Sequence, residues 1–231
     1  MKTIGLIGGM SWESSAEYYR IINEAVRDRL GGVHSGKSLM LTVDFAEIET
    51  LQKQGRWDEA TQAMIHAAQQ LQAGGADCVL ICANTMHKMA DEVQAAVDIP
   101  LIHIADATAA AVKKQGLHKV GLLGTRYTME EDFYTGRLAQ KHGLEVHIPG
   151  ADDRTIIHNV IYDELVVGKV NPASKLAYLR IMDKLVAQGV QGILLACTEI
   201  GMLVQQPDSS LPLFDTTPIH ALAAVDFALG E

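Results

Sequence analysis

The sequence predicts an α/β protein made of two similar α/β domains, each a parallel sheet flanked by helices, that are related by pseudo-twofold symmetry. Two observations support this prediction. Short apolar runs alternate with helical patterns, which is typical of βαβ units with right-handed crossovers. The pattern of the first half also returns in the second half, a little over a hundred residues later. Such a duplication predicts a cleft between the halves, and we expect the active site to lie there.

Apolar runs of four to six residues, bounded by Gly, Pro or small residues, are typical of strands that are buried on both faces of a sheet. These runs lie at residues 3–8, 38–43, 77–82, 100–104, 118–123, 144–147, 191–196 and 212–214. Helical patterns occupy residues 16–29, 57–72, 87–97, 129–142, 153–167, 172–188 and 217–229. Gly74-Gly75, Pro100 and Gly189 follow three of these patterns, as expected of residues that end helices.

Three segments of the first half recur in the second half. In each opening segment an apolar strand runs into glycine, and in each central segment an apolar strand runs into short polar residues. The matched pairs are residues 3–10 with 119–126, 78–85 with 191–199, and 100–103 with 212–215. We therefore predict a first domain formed by residues 1–104 plus 211–231 and a second formed by residues 105–210, with the last helix returning to the first domain.

Composition narrows the class of protein. The 231 residues are 48% hydrophobic and 20% charged, which is an ordinary globular profile. A net charge of −9 and scattered Lys and Arg residues argue against a nucleic-acid partner, so we expect a small-molecule ligand. No apolar stretch approaches the ~20 residues of a membrane span, and Met1-Lys2-Thr3 leads directly into a strand rather than a signal peptide. These features predict a cytoplasmic protein without membrane attachment.

Neither a cofactor nor a metal is predicted. The Gly5 to Gly9 segment lacks the GxGxxG spacing of dinucleotide-binding folds, and Asp44 comes too late to serve as the ribose-binding acid. A Walker-type phosphate loop is also missing from the sequence. The three cysteines form no CxxC pair, so we interpret them as free thiols rather than a disulfide framework or a zinc site.

In open α/β sheets, ligands bind outside the carboxyl ends of the strands, and Cys197 stands at such an end. Backbone amides there can lower the pKa of a thiol, so Cys197 is a candidate base or nucleophile. A free cysteine is more often a small core hydrophobe, but its place at a strand end in a duplicated layout favours the functional interpretation. Cys82 lies one residue earlier relative to Asn84 than Cys197 does relative to Thr198. Strand alternation then points Cys82 to another face, and we interpret it, like Cys78, as structural.

Short polar residues and glycines surround these strand ends. The glycine amides after the first strand and the Thr125 hydroxyl are candidates to hold a carboxylate, although the same segment also fits a simple tight turn. The remaining candidates have an equally ordinary alternative as helix caps, solvated side chains or packing residues. They are Asn84, Thr85, His87, Thr198, Glu199, Trp12 and Tyr127.

Motifs along nearly the whole chain resemble the aspartate/glutamate racemase superfamily, most closely its aspartate racemase-like branch of broad-specificity amino-acid racemases. They are residues 8–13 (GGMSWE), 84–88 (NTMHK), 103–108 (HIADAT), 124–129 (GTRYTM) and 197–201 (CTEIG). The resemblance implies a cleft active site between two α/β domains, an isomerase that needs no pyridoxal phosphate or metal, and a homodimer. The implied substrate-binding residues are Gly9, Met10, Ser11, Asn84, Thr85, Thr125, Thr198 and Glu199.

The family's chemistry uses two cysteines, one removing the Cα proton and the other returning a proton to the opposite face. Cys197 matches the second cysteine, whereas Ala83 occupies the position of the first. Alanine cannot transfer a proton. We therefore predict thiol-mediated racemisation or epimerisation that is impaired or one-sided, with water, Cys82, Thr85 or His87 serving the other face.

The substrate side chain stays open, because Val166-Val167 precedes Gly168 where aspartate-specific relatives carry a lysine, and Lys169 lies one place beyond it. Two other functions also stay open. Relatives resembling arylmalonate decarboxylase keep one cysteine as a proton donor, so a single-cysteine decarboxylase or lyase fits a chain with one matched thiol. A non-catalytic protein that binds small acids is the third interpretation.

Overall fold

The computed structural model describes residues 1–230 of the chain. The chain divides into two compact units. Unit 1 comprises Met1–Ile104 together with the chain from His220 onward, and unit 2 comprises Ala105–Ile219. Each unit contains a parallel sheet with helices around it, which confirms the predicted fold class.

Seven strands and eleven α-helices are formed in the described part of the chain. The strands are β1 (Ile4–Gly8), β2 (Ser38–Thr42), β3 (Cys78–Ile81), β4 (Lys119–Gly124), β5 (Glu145–His147), β6 (Gly192–Ala196) and β7 (Leu213–Asp215). The α-helices are α1 (Trp12–Leu30), α2 (Phe45–Lys53), α3 (Trp57–Ala73), α4 (Ala90–Ala95), α5 (Ile104–Lys114), α6 (Arg126–Glu130), α7 (Asp132–Gly136), α8 (Ala151–Asp163), α9 (Pro172–Ala187), α10 (Ile200–Leu203) and α11 (Thr216–Leu229). Within residues 1–230, no helix combines the length and the apolar character needed to cross a bilayer.

The sheet of unit 1 has the strand order β2-β1-β3, and both pairs are parallel. A single parallel bridge joins Val79 of β3 to Leu101, so a fourth strand is reduced to one residue pair. Side chains alternate across β3 and its continuation, and the two faces of the sheet pack into separate cores. One core contains Ile7, Met64 and Val79, and the other contains Leu6, Tyr18 and Val225.

The sheet of unit 2 has the order β5-β4-β6-β7 and is also parallel throughout. The correspondences predicted from the sequence repeat appear here as equivalent pairings. Ile193 of β6 pairs with Leu213, as Val79 pairs with Leu101. The amide of Ile193 donates to the Pro212 carbonyl, as the amide of Val79 does to the Pro100 carbonyl. Each copy therefore places its central strands in the same order.

Several predicted bounds differ from the structure. The chain returns to unit 1 at His220 rather than at residue 211, because β7 pairs with β6 and keeps residues 213–215 in unit 2. Helices α2 and α5 were not predicted, since their short apolar faces follow strand-like runs without a clear break. The predicted helix at 87–97 is a 3₁₀ turn, Thr85–Met89, followed by α4. The helix predicted at 129–142 is divided into α6, α7 and the π-helical segment Arg137–Lys141.

Gly9 sets the path of the chain as it leaves β1. Its φ is +93°, which favours glycine, and a Cβ at this position would collide with the backbone carbonyl oxygen of Val43 and lie 2.8 Å from the Val43 nitrogen. Backbone atoms cannot move aside as a flexible side chain can. Only glycine therefore fits where the turn after β1 passes the end of β2.

We predict that Gly9→Ala destabilises the protein more than Gly75→Ala does. Gly75 is the matched control, because its φ is also +93° but nothing lies within 4 Å of the Cβ that would be added. The control isolates the cost of the backbone conformation, on the order of 1–2 kcal/mol, whereas Gly9→Ala adds an overpacking cost of about 1–3 kcal/mol. Urea unfolding of both variants measures the difference. Equal losses of unfolding free energy would contradict the steric argument.

Candidate active site

The chain after β3 places Cys82 and Ala83 on opposite faces of the sheet. Ala83 packs in the same core as Ile81 and Met86, whereas Cys82 packs with Leu80 in the other core. Cys82 is fully buried, and burial raises its pKa strongly. The Cys82 thiol therefore lies on the face of the sheet opposite to Ala83. Bringing this thiol to the face of Ala83 would require a one-residue shift in strand register, which would also move the neighbouring side chains to the wrong face.

The polar residues that follow Ala83 are buried and ordered by the backbone. Asn84 and Thr85 are 3% and 6% exposed, and Thr85 begins the 3₁₀ turn that runs to Met89. The ring of His87 turns back toward this segment. Its Nδ1 lies 2.8 Å from the Ala83 carbonyl oxygen, and its Nε2 lies 3.2 Å from the Ile104 amide nitrogen. Both ring nitrogens are thus engaged by the backbone of unit 1.

The loop after β1 is held by serine side chains. The Gly9 amide donates to Ser15 Oγ at 2.8 Å, and Ser15 Oγ in turn donates to the Ser11 carbonyl at 2.8 Å. Ser11 is the N-cap of α1, and Met10 beside it is 5% exposed. The Gly9 amide, which the sequence offered as a carboxylate donor, is therefore already bonded, and Gly9 contributes the shape of the turn. Trp12 begins α1 and is 69% exposed.

Thr125 occupies the corresponding position after β4 in unit 2. Its hydroxyl oxygen accepts from the Thr128 amide at 3.3 Å and lies 3.0 Å from the Thr128 hydroxyl, so it caps α6. Tyr127 packs edge-to-face on His158, with the ring centroids 6.0 Å apart. The cap explains why a threonine stands where the chain turns from strand to helix.

Cys197, Thr198 and Glu199 form a compact polar group at the end of β6. The Cys197 thiol donates to Glu199 Oε2 at 3.0 Å, and the Thr198 hydroxyl donates to the same oxygen at 2.9 Å. The Cys197 and Glu199 residues are only 6% and 2% exposed. A carboxylate oxygen that accepts two hydrogen bonds in a buried setting is well placed to exchange a proton with the thiol.

The environment raises the pKa of Cys197 well above its ordinary value, contrary to the expectation from its strand-end position. Burial is the largest cause, and the charge of Glu199 and the hydrogen bond to its carboxylate act in the same direction. The Glu199 backbone amide favours the thiolate, but it is outweighed. The resting form of Cys197 is therefore the neutral thiol.

The sequence did not reveal two features of these groups. The first is the direct contact between the Cys197 thiol and the Glu199 carboxylate, since spacing alone does not fix a side-chain rotamer. The second is a buried group in unit 1 in which His87, His103 and His220 pack together, with ring centroids of His87 4.5 Å from His103 and 5.6 Å from His220. No local signal links His220 to residues more than a hundred positions away. Across residues 1–230, no cluster of three His, Cys, Asp or Glu side chains could hold a metal ion.

Comparison with known proteins identifies relatives of the whole chain. The model of the Asp/Glu/Hydantoin racemase family matches residues 7–224. The broad-specificity amino-acid racemase RacX of Bacillus subtilis (strain 168) is 23% identical over 180 residues, which cover 75% of this chain and 74% of RacX.

Two solved structures are similar over almost the full length. The crystal structure of a candidate Asp/Glu racemase from Yersinia pestis has a TM-score of 0.92 and 55% identity, covering 99% of this chain and all of that one (100%). The structure of an aspartate racemase homologue from Pyrococcus horikoshii OT3 has a TM-score of 0.85 and 33% identity, again covering 99% and 100% of the two chains. The likeness thus includes both units of the fold.

We predict that His220 makes folding stability fall in mild acid. Burial lowers the pKa of His220 from 6.5 to about 4, although its hydrogen bond to the Ile102 carbonyl acts in the opposite direction. Between these two values the unfolded chain binds a proton that the native protein does not bind. The unfolding free energy should therefore fall by about 3 kcal/mol as the pH drops from about 6.5 to about 4. Above about pH 6.5 the imidazole is neutral in both states, so His220 causes no loss of unfolding free energy there.

The matched control is His220→Gln, which cannot titrate but can still donate to the Ile102 carbonyl. Urea unfolding of both proteins at pH 7.5 and pH 4.5 measures the effect as a difference of differences. If the two proteins lost the same unfolding free energy on acidification, His220 would not be the group responsible.

Proposed function

The chain belongs to the Asp/Glu/hydantoin racemase family, and we propose that it is a cofactor-independent amino-acid racemase or epimerase in which Cys197 transfers the Cα proton. The observation that carries this proposal is the buried contact between the Cys197 thiol and the Glu199 carboxylate at the end of β6. Similarity to the broad-specificity racemase RacX supports amino acids as the substrate class.

Glu199 is proposed to accept the thiol proton and so generate the thiolate. The thiolate then removes the proton from Cα of the substrate, and Cys197 becomes a thiol again while the substrate becomes a carbanion. A thiolate with a raised pKa is a stronger base than an ordinary thiolate, and this suits the weakly acidic Cα proton. Thr198 supports the arrangement because its hydroxyl donates to the same Glu199 oxygen.

The opposite face of the substrate lacks a matched thiol, because Ala83 stands at the position equivalent to Cys197. Cys82 is a poor substitute, since its side chain belongs to the other core and burial raises its pKa. His87 is also a poor substitute, because the backbone engages both of its ring nitrogens. We therefore propose that water or the Thr85 hydroxyl serves this face, which makes proton transfer slower there than at Cys197.

The remaining substrate contacts are proposed from the family motifs. Met10, Ser11, Asn84, Thr85, Thr125 and Thr198 lie in or beside the segments that follow β1, β3, β4 and β6. These segments supply hydroxyl, amide and backbone groups that can hold an α-carboxylate and an α-amino group. We further propose a cytoplasmic homodimer, and light scattering of the purified chain tests the oligomeric part of this proposal.

A single-cysteine lyase is the second candidate, and one observation favours it. The resting Cys197 is a neutral thiol beside a carboxylate, which is the form needed to protonate a carbanion after decarboxylation. In that reaction the substrate loses carbon dioxide, the electron pair remains on the α-carbon, and the thiol supplies the proton. One thiol then suffices.

We predict that the protein exchanges the α-proton of one or more amino acids for deuterium in D2O, and that Cys197→Ala abolishes this exchange. Each enantiomer of aspartate, glutamate and a panel of other amino acids is incubated with the protein. Proton NMR follows loss of the α-proton, and chiral chromatography follows inversion. Cys82→Ala is the matched control, because it removes a buried thiol at the other strand end and should retain activity.

Restoring a thiol at residue 83 extends this test. Ala83→Cys should raise inversion relative to exchange, since the second face then has its own proton donor. Exchange of one enantiomer without inversion in the unchanged protein would support one-sided transfer at Cys197. Absence of exchange with every amino acid would contradict the racemase proposal, and turnover of an arylmalonate in its place would favour the lyase.

We also predict that Glu199→Gln has opposite effects on thiol reactivity and on catalysis. Loss of the carboxylate charge should lower the pKa of Cys197, so alkylation of Cys197 by iodoacetamide at pH 7.5 becomes faster. Loss of the proton acceptor should slow α-proton exchange by about 100-fold or more. Site-resolved mass spectrometry and NMR measure the two rates. The control Asp208→Asn changes a partly exposed carboxylate of the same unit that pairs with Lys175, and it should leave both rates unaltered. Unchanged exchange in Glu199→Gln would exclude Glu199 as the base.

A further inference from the structure

The hydrogen bonds of His87 define its tautomer. The Ile104 backbone amide can only donate, so the Nε2 atom that faces it at 3.2 Å must be unprotonated. The Ala83 carbonyl can only accept, so the Nδ1 atom that faces it at 2.8 Å must carry the proton. His87 is therefore neutral with its proton on Nδ1. The residue is buried, with only 2% of its surface exposed.

His220 has the opposite tautomer and binds the backbone at Ile102, two residues before the Ile104 amide that contacts His87. Its Nε2 lies 2.6 Å from the Ile102 carbonyl, which can only accept, so Nε2 carries the proton. Its Nδ1 lies 2.8 Å from the Tyr18 hydroxyl, which donates to it. Two neutral imidazoles thus bind the backbone at residues 102 and 104, one through a carbonyl and the other through an amide.

These contacts brace the segment that contains Ala83. On one side, the Cys82 amide donates to the Ile7 carbonyl at 2.9 Å and ties the segment to β1. On the other side, the His87 ring ties the Ala83 carbonyl to the start of α5 through Ile104. His103 packs against the His87 ring, with the ring centroids 4.5 Å apart. The position of the Ala83 peptide therefore depends on the side chain of His87, four residues later in the sequence.

We propose that His87 is a positioning residue that fixes the Ala83–Thr85 segment through the Ala83 carbonyl, and that it is not the acid or base that replaces the first cysteine. This inference rests on the proposed racemase function, because the segment matters only if it carries substrate contacts. It goes beyond that function by assigning the role of His87. A misplacement of about 1 Å at such a segment can reduce the rate by about 100-fold.

Three substitutions separate the roles of the two nitrogens. His87→Asn places an amide N–H near the position of Nδ1 and can still donate to the Ala83 carbonyl. His87→Gln reaches the position of Nε2 and can still accept from the Ile104 amide, but it loses the Ala83 contact. His87→Leu keeps the volume and loses both contacts. All three are compared with the unchanged protein by thermal unfolding and by the rate of α-proton exchange in D2O.

We expect the turnover number of His87→Asn to lie within about threefold of the original value. That of His87→Gln should fall by about tenfold to 100-fold even when the two variants unfold at similar temperatures. If His87 were the acid or base, His87→Asn would be as inactive as His87→Leu, and this result would overturn the proposal. Equal turnover of the Asn and Gln variants would overturn it as well. If His87→Leu fails to fold, the comparison of Asn with Gln still decides the matter.

Nitrogen-15 NMR of the histidine side chains tests the inference without any activity assay. At pH 7.5 we expect His87 to show a protonated Nδ1 and an unprotonated Nε2, and His220 to show the reverse. A His87 ring with its proton on Nε2, or with rapidly exchanging tautomers, would overturn the proposal even in an active enzyme. Failure of the racemase proposal would appear differently, as absence of exchange in the unchanged protein with the expected tautomers present.

Discussion

Parallel pairing of a central strand with neighbours on both sides is the constraint on which every candidate functional group depends. Because β1 pairs with β3 and β4 pairs with β6 in parallel, the carboxyl ends of the paired strands lie at the same edge of each sheet. The candidate polar side chains and turns lie at these edges. Alternation along β3 then decides which side chains share a face, and it separates Cys82 from Ala83. The chemistry open to each unit follows from this geometry.

The two units use their strand ends in different ways. In unit 2 the end of β6 holds a thiol and a carboxylate in direct contact, so a proton can be exchanged there. In unit 1 the end of β3 holds a methyl group, and the nearby His87 ring is engaged by backbone atoms of Ala83 and Ile104. The duplication therefore conserves the scaffold of strands and turns while the chemical content of the two copies differs.

The sequence predicted the strands well because a strand buried on both faces must be almost wholly apolar, as β1, β3 and β6 are. It also predicted that Cys197 stands at a strand end. It did not predict helix α2, whose short apolar face follows a strand-like run without a clear break. It also missed the return of the chain at His220, because that depends on the pairing of β7 with β6. The raised pKa of Cys197 was missed for a related reason: burial and the rotamer of Glu199 are tertiary properties, and they outweigh the local backbone amide.

The position of residue 83 has a consequence for how such a protein can change over time. Its side chain lies at the margin of one core, 7% exposed, while the hydrogen bonds that hold the segment all use backbone atoms of Ala83 and its neighbours. A change between cysteine, threonine and alanine at this position therefore leaves the supporting bonds in place. Divergence at residue 83 is therefore limited by the packing of its side chain in that core and not by the hydrogen bonds of the segment.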